Sequence, residues 1–263
     1  MPKRAHSTIS ANVLFHFTTK ENLLGILRNE FYARYALENH NIFGEEVPER
    51  HIAIPMVSFC DIPLSQIKDH VEKYGDYALG LTKDWAKSHG IAPVLYAYPG
   101  SLTSEAIANI FENLPPYDRA QKFEGLQQAQ RNLTYFSFYV KMYEGRMYRD
   151  DAYLEELVRF YDEREWRYIP SISVLSQSGM SSFLRKPIYD DPLMRSAENS
   201  ILSKADRLSF EPKYIKYIIT KSESEILETV DTVLQIKGPN FPYDEVRKLT
   251  SRIISLEQVL EDF

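Results

Sequence analysis

The chain has 263 residues, 44% hydrophobic and 26% charged, with a net charge of -6, the composition of an ordinary globular protein long enough to bury a sizeable core. A mildly acidic sequence, with a pI near 5.6, lacks the basic footprint of a dedicated nucleic-acid binder, while leaving room for a local basic patch and a nucleic-acid substrate. Cys60 is the single cysteine, which excludes an intrachain disulfide and a cysteine-based zinc site. No apolar signal-like segment opens the sequence, and apolar runs such as 52–59 are too short to cross a bilayer. A cytosolic protein with no membrane role is expected.

In chain order, residues 13–18 read as a strand, and Thr18 or Thr19 as the N-cap of a helix through Leu23, Ile26 and Leu27. A short extended piece follows over 31–37, then a polar loop over 38–50. Residues 52–60 form a strand whose Pro55 implies an edge or a bulge. Asp61-Ile62-Pro63 opens a helix to about Tyr74. Residues 77–81 form a strand, Thr82 caps a helix over 83–89, and Gly90 ends it. A strand over 93–98 precedes a helical region over 102–143, broken at Pro115-Pro116, with an apolar second helix near 133–142. The segment 160–169 reads as a strand, entered from Tyr153 through a helical or extended lead-in. A Ser-rich stretch (171–182), a helix (193–208), a strand (214–220) and a helix (223–236) follow. Gly238-Pro239 breaks that helix, and a last short helix and strand close the chain. Strands and helices alternate without a regular βαβ rhythm, so one α+β domain over 1–263 is expected, with a helical insertion at 101–150.

No phosphate-binding glycine loop, GxGxxG or HExxH is present, and the six histidines show no metal-ligand spacing, so no metal site is expected. The segment 160–169 is the richest in chemistry. As an extended strand it puts Glu163, Glu165 and Arg167 on one face and Phe160, Trp166 and Tyr168 on the other. Two readings stand: an ordinary solvated strand face, or a site built on paired carboxylates. His16 lies between Phe15 and Phe17 and faces away from both, as a structural histidine or as a ligand contact with one donor and one acceptor. Ser58 is either a sheet hydroxyl or a site hydroxyl. A Cys60–His16 nucleophile pair has no support in spacing, since a lone cysteine after a strand is usually a small core residue.

Leu14-Phe15-His16-Phe17-Thr18 followed by Asn22-Leu23-Leu24-Gly25-Ile26-Leu27 resembles the opening strand and helix of the DarT-like and other histidine-type ADP-ribosyltransferases. The order His16, then Ser58 in Val57-Ser58-Phe59, then Glu165 is compatible with that superfamily, and Glu163-x-Glu165 resembles the ExE arrangement of its arginine-modifying members. A resemblance covering more of the chain is to the AbiGi family of abortive-infection proteins. It is carried by FYARYALE (31–38), AIPMVSFCDIPLSQ (53–66), YGDYALGLT (74–82), Pro93-Val94-Leu95-Tyr96 and DEREWRYIP (162–170).

The two resemblances imply a phage-defence protein, usually the antitoxin half of a pair whose partner is nucleotidyltransferase-like. They also imply an ADP-ribosyltransferase-like fold of split mixed and antiparallel sheets with flanking helices, and a cleft for NAD. In that cleft Glu165 would stabilise an oxocarbenium-like transition state and Glu163 would orient or deprotonate the acceptor. His16 would hold the adenine-side ribose, Ser58 would fix the Glu165 rotamer, and Thr18 would join the cofactor-binding set. Arg34 would pair with the pyrophosphate, or is simply a surface arginine. The acceptor would be a protein, a nucleic acid or water. Arg167, on the face of Glu165, offers the contrary expectation of an ionised but occupied carboxylate, as in an antitoxin that keeps an enzyme-derived fold.

Overall fold

The computed structural model describes residues 11–39, 51–113, 124–149 and 152–262. Its centre is a nine-stranded sheet. β1 (Val13–Thr18) pairs antiparallel with β4 (Tyr77–Thr82), which pairs with β12 (Ile215–Thr220), and β13 (Ile253–Ser255) adds a parallel edge. On the other side of β1 lies β3 (His51–Cys60), then β10 (Glu165–Tyr168) and β5 (Ala92–Pro93). β2 (Arg34–Asn39) and β11 (Leu184–Arg185) pair with the first half of β3.

Alternation along β1 shows why the sheet is covered on both faces. Leu14 joins the larger core with Leu23, Leu27, Phe31, Phe59 and Trp85, whereas Val13, Phe15 and Phe17 join a second core with Ile67, Val71 and Val259. A strand buried on both faces has period-2 side chains that are apolar in both phases. Helix Lys20–Asn29 begins where Thr19 Oγ1 accepts the Asn22 amide, and buries Leu23 and Leu27 one turn apart. Each buried leucine contributes roughly 1.5–3 kcal/mol of apolar transfer. Helix Lys83–Ser88 is capped by Thr82, and Gly90 follows with φ +69°, as the sequence predicts. Gly80 is required in β4, because a Cβ there would lie 2.8 Å from the Phe15 ring.

Pro55 neither ends β3 nor bulges it. The Tyr35 amide, opposite Pro55, donates to Asn199 Oδ1 rather than across the ladder. The pair is therefore a non-hydrogen-bonded one, and the missing proline N–H falls on the side where no described strand is registered with residues 54–56.

Several expectations need correction. The apolar run after residue 133 is not helical throughout: helix Glu124–Ser137 ends, and Val140–Met142 is strand β7, parallel to β6 (Leu95–Ala97). A short apolar run is ambiguous between the two periods, and pairing with β6 decides it. Among the described residues, the region 101–150 thus holds two helices but also β7 and β8 (Gly145–Arg149), which forms a hairpin with β9 (Ala152–Val158). Pro115-Pro116 and most of the loop at 38–50 lie outside the described residues. The segment 160–169 is not one strand: residues Phe160–Glu163 form a 3-10 turn, Arg164 is left-handed at φ 45°, and only Glu165–Tyr168 is extended. Ser171 caps a helix, Ile172–Gln177, inside the Ser-rich stretch, and helix Leu256–Asp262 follows β13.

Candidate functional site

β1 and β3 register at one pair, Phe15 with Cys60, and splay apart beyond it. The other edge of β3 is taken by β10, with Glu165 opposite Cys60 and Arg167 opposite Ser58. A cavity of about 370 Å³ opens at this splay, lined among others by His16, Ser58, His70, Tyr74, Glu163 and Glu165. That size suits a small organic ligand.

The face of β10 that carries Glu165 and Arg167 is not wet. Arg167 is 0% exposed, Glu163 4%, Glu165 5% and Lys141 9%. Glu165 accepts four hydrogen bonds: Ser58 Oγ at 2.7 Å and Arg167 Nε at 2.7 Å on Oε1, and Lys141 Nζ at 2.7 Å and Arg167 Nη2 at 3.1 Å on Oε2. Its backbone is held as firmly, since its amide donates to the Tyr96 hydroxyl at 2.8 Å and its carbonyl accepts the Val94 amide at 3.0 Å. Arg167 extends the network to the Phe138 carbonyl at 2.7 Å and to Glu38 at 3.0 Å. Lys141 bridges the two glutamates, reaching Glu163 Oε2 at 2.9 Å, and Tyr74 donates to Glu163 Oε1 at 2.5 Å.

Burial alone would raise the Glu165 carboxyl, but the Arg167 and Lys141 charges outweigh it and hold it well below the usual carboxylate range. Burial likewise opposes the charge on Lys141, and Glu165 and Glu163 more than restore it. Tyr74 is pushed well up, first by burial and then by Glu163. His16 is half-buried, with Phe31 edge-on at 5.2 Å and Phe59 at 5.8 Å. Its Nδ1 lies 2.9 Å from the Ser58 carbonyl, which can only accept, so Nδ1 carries the proton. Burial lowers its pKa against that bond, which leaves a neutral ring with Nε2 as an acceptor.

Of the residues singled out in the sequence, His16, Ser58, Glu163 and Glu165 meet in this cleft. Thr18 and Arg34 do not join them. Thr18 is buried at the seam with β4, opposite Tyr77. Arg34 is exposed at the start of β2 and donates to the Tyr32 hydroxyl at 2.6 Å, in a separate groove. Sequence reasoning missed Lys141, Tyr74, Tyr96 and Glu38. Lys141 alone had a signal, as a lysine between Val140 and Met142 in an apolar run, and the helical reading of that run hid it.

Fold and cleft together define an α+β protein with a buried cluster of carboxylates and cations where its central sheet parts. The chain belongs to the AbiGi family: residues 29–221, well over half of it, match the family described as "Putative abortive phage resistance protein AbiGi, antitoxin". It is similar to the "Abortive phage resistance protein AbiGi" of Lactococcus lactis subsp. cremoris, at 29% identity over 255 residues, covering 89% of this chain and 99% of that one. No solved structure matches. The span matched to the family contains Ser58, Lys141, Glu163, Glu165 and Arg167, while His16 precedes it. No helix among the described residues is long and apolar enough to cross a membrane.

Proposed function

We propose that this protein serves in abortive phage defence as the antitoxin of a pair, neutralising a nucleotidyltransferase-like toxin, with a cleft that holds a ligand without turning it over. The family description supports the antitoxin role, and one observation carries the non-catalytic cleft: both Glu165 oxygens are fully occupied by Ser58, Lys141 and Arg167. A carboxylate has about four acceptor sites, and all four are engaged. Two adjacent cations also cancel the field with which it would stabilise developing positive charge. Co-expression with a nucleotidyltransferase-like toxin should restore growth to cells that the toxin arrests, and Glu165→Gln should restore it equally. Loss of rescue in that variant, with the fold intact, overturns the reading.

The convergence of His16, Ser58 and Glu165 in one cleft favours a second reading, ADP-ribosyl transfer from NAD. There the bond between the nicotinamide nitrogen and the ribose breaks, and nicotinamide leaves with the electron pair. The acceptor (protein, nucleic acid or water) forms the new bond and gives up its proton, with Glu163 as the base. Glu165 faces the oxocarbenium-like centre and His16 Nε2 accepts from a ribose hydroxyl. Incubation of pure protein with NAD separates the two readings. Nicotinamide release that Glu165→Gln abolishes supports transfer or hydrolysis, and its absence overturns this second reading.

A further inference from the structure

A second groove runs along helix Pro192–Ala205, remote in function from the buried cluster and built of different chemistry. Its volume is about 420 Å³, and it is lined by Tyr32, Arg34 and Arg195 with the polar helix face of Ser196, Asn199 and Ser203, among others; no carboxylate among the described residues lines it. Arg207 does not itself line the groove but brings a third guanidinium to its margin, 5.0 Å from the Tyr32 ring, while Arg34 lies 5.1 Å from the same ring. Tyr32 is thus a platform that carries two arginines. Their positions are fixed further by bonds from Arg34 to the Tyr32 hydroxyl at 2.6 Å and from Arg207 Nη1 to the Asn29 carbonyl at 3.0 Å. Arg195 rests on the Tyr189 ring at 4.8 Å, with Nη1 donating to the Tyr189 carbonyl at 3.3 Å. The Asn199 carbonyl end accepts the Tyr35 amide, so the opposite end of that side chain is a donor.

We propose that this groove binds the backbone of a single-stranded nucleic acid. Three guanidiniums with interspersed hydroxyl and amide donors form the donor set that phosphodiester and sugar oxygens take. Guanidiniums held about 5 Å from tyrosine rings place flat surfaces near the groove on which unpaired bases can lie. An open, polar groove suits a polymer passing through rather than an enclosed small ligand. The lack of buried apolar anchors argues against a protein hot spot. The net charge of -6 confines binding to this face and makes it weak and salt-sensitive. No residue lining this groove lines the cavity at Glu165, although Tyr189, on which Arg195 rests, does; the proposal rests on neither reading above.

The test is fluorescence anisotropy of a labelled 12-nucleotide single-stranded RNA titrated with the full chain at several KCl concentrations. Three phosphate contacts give a slope of log affinity against log salt of about -2. Arg34→Glu/Arg207→Glu should weaken binding by at least about 10-fold and flatten the slope to about -0.7, the value for one contact. Both side chains are exposed, so the variant should fold. If it does not, Arg34→Gln/Arg207→Gln makes the same test with two-thirds of the contacts removed. Lys213→Glu/Lys221→Glu changes the net charge equally outside the groove and should leave affinity within two-fold. An equal loss in that control, no RNA binding, or competition by a phosphoserine peptide but not by unlabelled RNA overturns the proposal.

Discussion

Replacing Arg167 by methionine tests whether the cluster at Glu165 holds the fold as well as the site. Arg167 is wholly buried, and its guanidinium makes two bonds to Glu165, one to Glu38 and one to the Phe138 carbonyl. Methionine fills much of the volume, so the cavity term is small and the loss is electrostatic. Glu165 would keep Lys141 and Ser58 but lose half its donors, while the Phe138 carbonyl would be left unsatisfied. Removing one partner of a buried ion pair costs about 3–5 kcal/mol, which for a chain of this size lowers Tm by roughly 6–20 °C. The pH dependence has a definite sign. The Glu165 carboxyl lies below its ordinary value of 4.5 in the folded state, so its contribution is present above 4.5 and is lost as pH falls below it. In Arg167→Met the folded value rises towards the ordinary one, and that acid-dependent part of the stability shrinks. Urea unfolding followed by circular dichroism at pH 7 and pH 4 measures both effects. A variant within 1 kcal/mol of wild type at pH 7 would refute the assignment of Arg167 as a partner that the buried Glu165 charge needs. Adding Glu165→Met should recover part of the loss, because an ion pair replaced by apolar side chains is near neutral.

Gly75→Ala should destabilise the protein by about 1–3 kcal/mol, seen as a lower urea midpoint, because Gly75 sits at φ +119° and an added Cβ would lie 2.4 Å from the Thr18 carbonyl oxygen. Cys60 is buried and its thiol is pushed well up by burial and by Glu163, so iodoacetamide at pH 8 should label it only after unfolding, as read by mass spectrometry. His70 is pushed down to about 4 from 6.5, chiefly by burial. It therefore adds stability in full above 6.5 that is lost as pH falls towards 4, and its ring proton shifts in NMR should stay constant from pH 8 to pH 6.

The framework was legible where local signals and tertiary demands agree. Thr19 and Thr82 cap helices because their hydroxyls reach amides three residues on, and the sequence marks both. His16, Ser58 and Glu165 could be singled out from strand order because β1, β3 and β10 are neighbours in the sheet. What was illegible depends on long-range pairing. Strand β7 reads locally as the end of an apolar helix, and only its register with β6 turns Lys141 inward between the two glutamates. Glu163 and Glu165 were placed on one strand face by period-2 reasoning. They do converge on Lys141, but through a 3-10 turn and a left-handed Arg164 that no spacing rule anticipates. Arg34 stays open in the sequence between a pyrophosphate contact and a surface arginine, because a charged residue at a strand start says nothing about which of two grooves it enters, and it is exposed.

The buried cluster also explains why one residue type decides what the cleft can do. Glu38, Glu163 and Glu165 face Lys141 and Arg167, and the neutral histidines His16 and His70 add no charge. Three carboxylates against two cations leave the cluster one charge short of balance, and Lys141 is already divided between Glu163 and Glu165. Arg167 is divided too, between Glu165 and Glu38. Glu165 is therefore the one carboxylate that both cations share, and its charge is cancelled most completely. A carboxylate in that position braces three strands, and on the non-catalytic reading proposed above it is poorly placed to stabilise positive charge developing on a bound ligand. The residue that looks most catalytic in the sequence is, for this reason, the carboxylate that the fold pairs most completely.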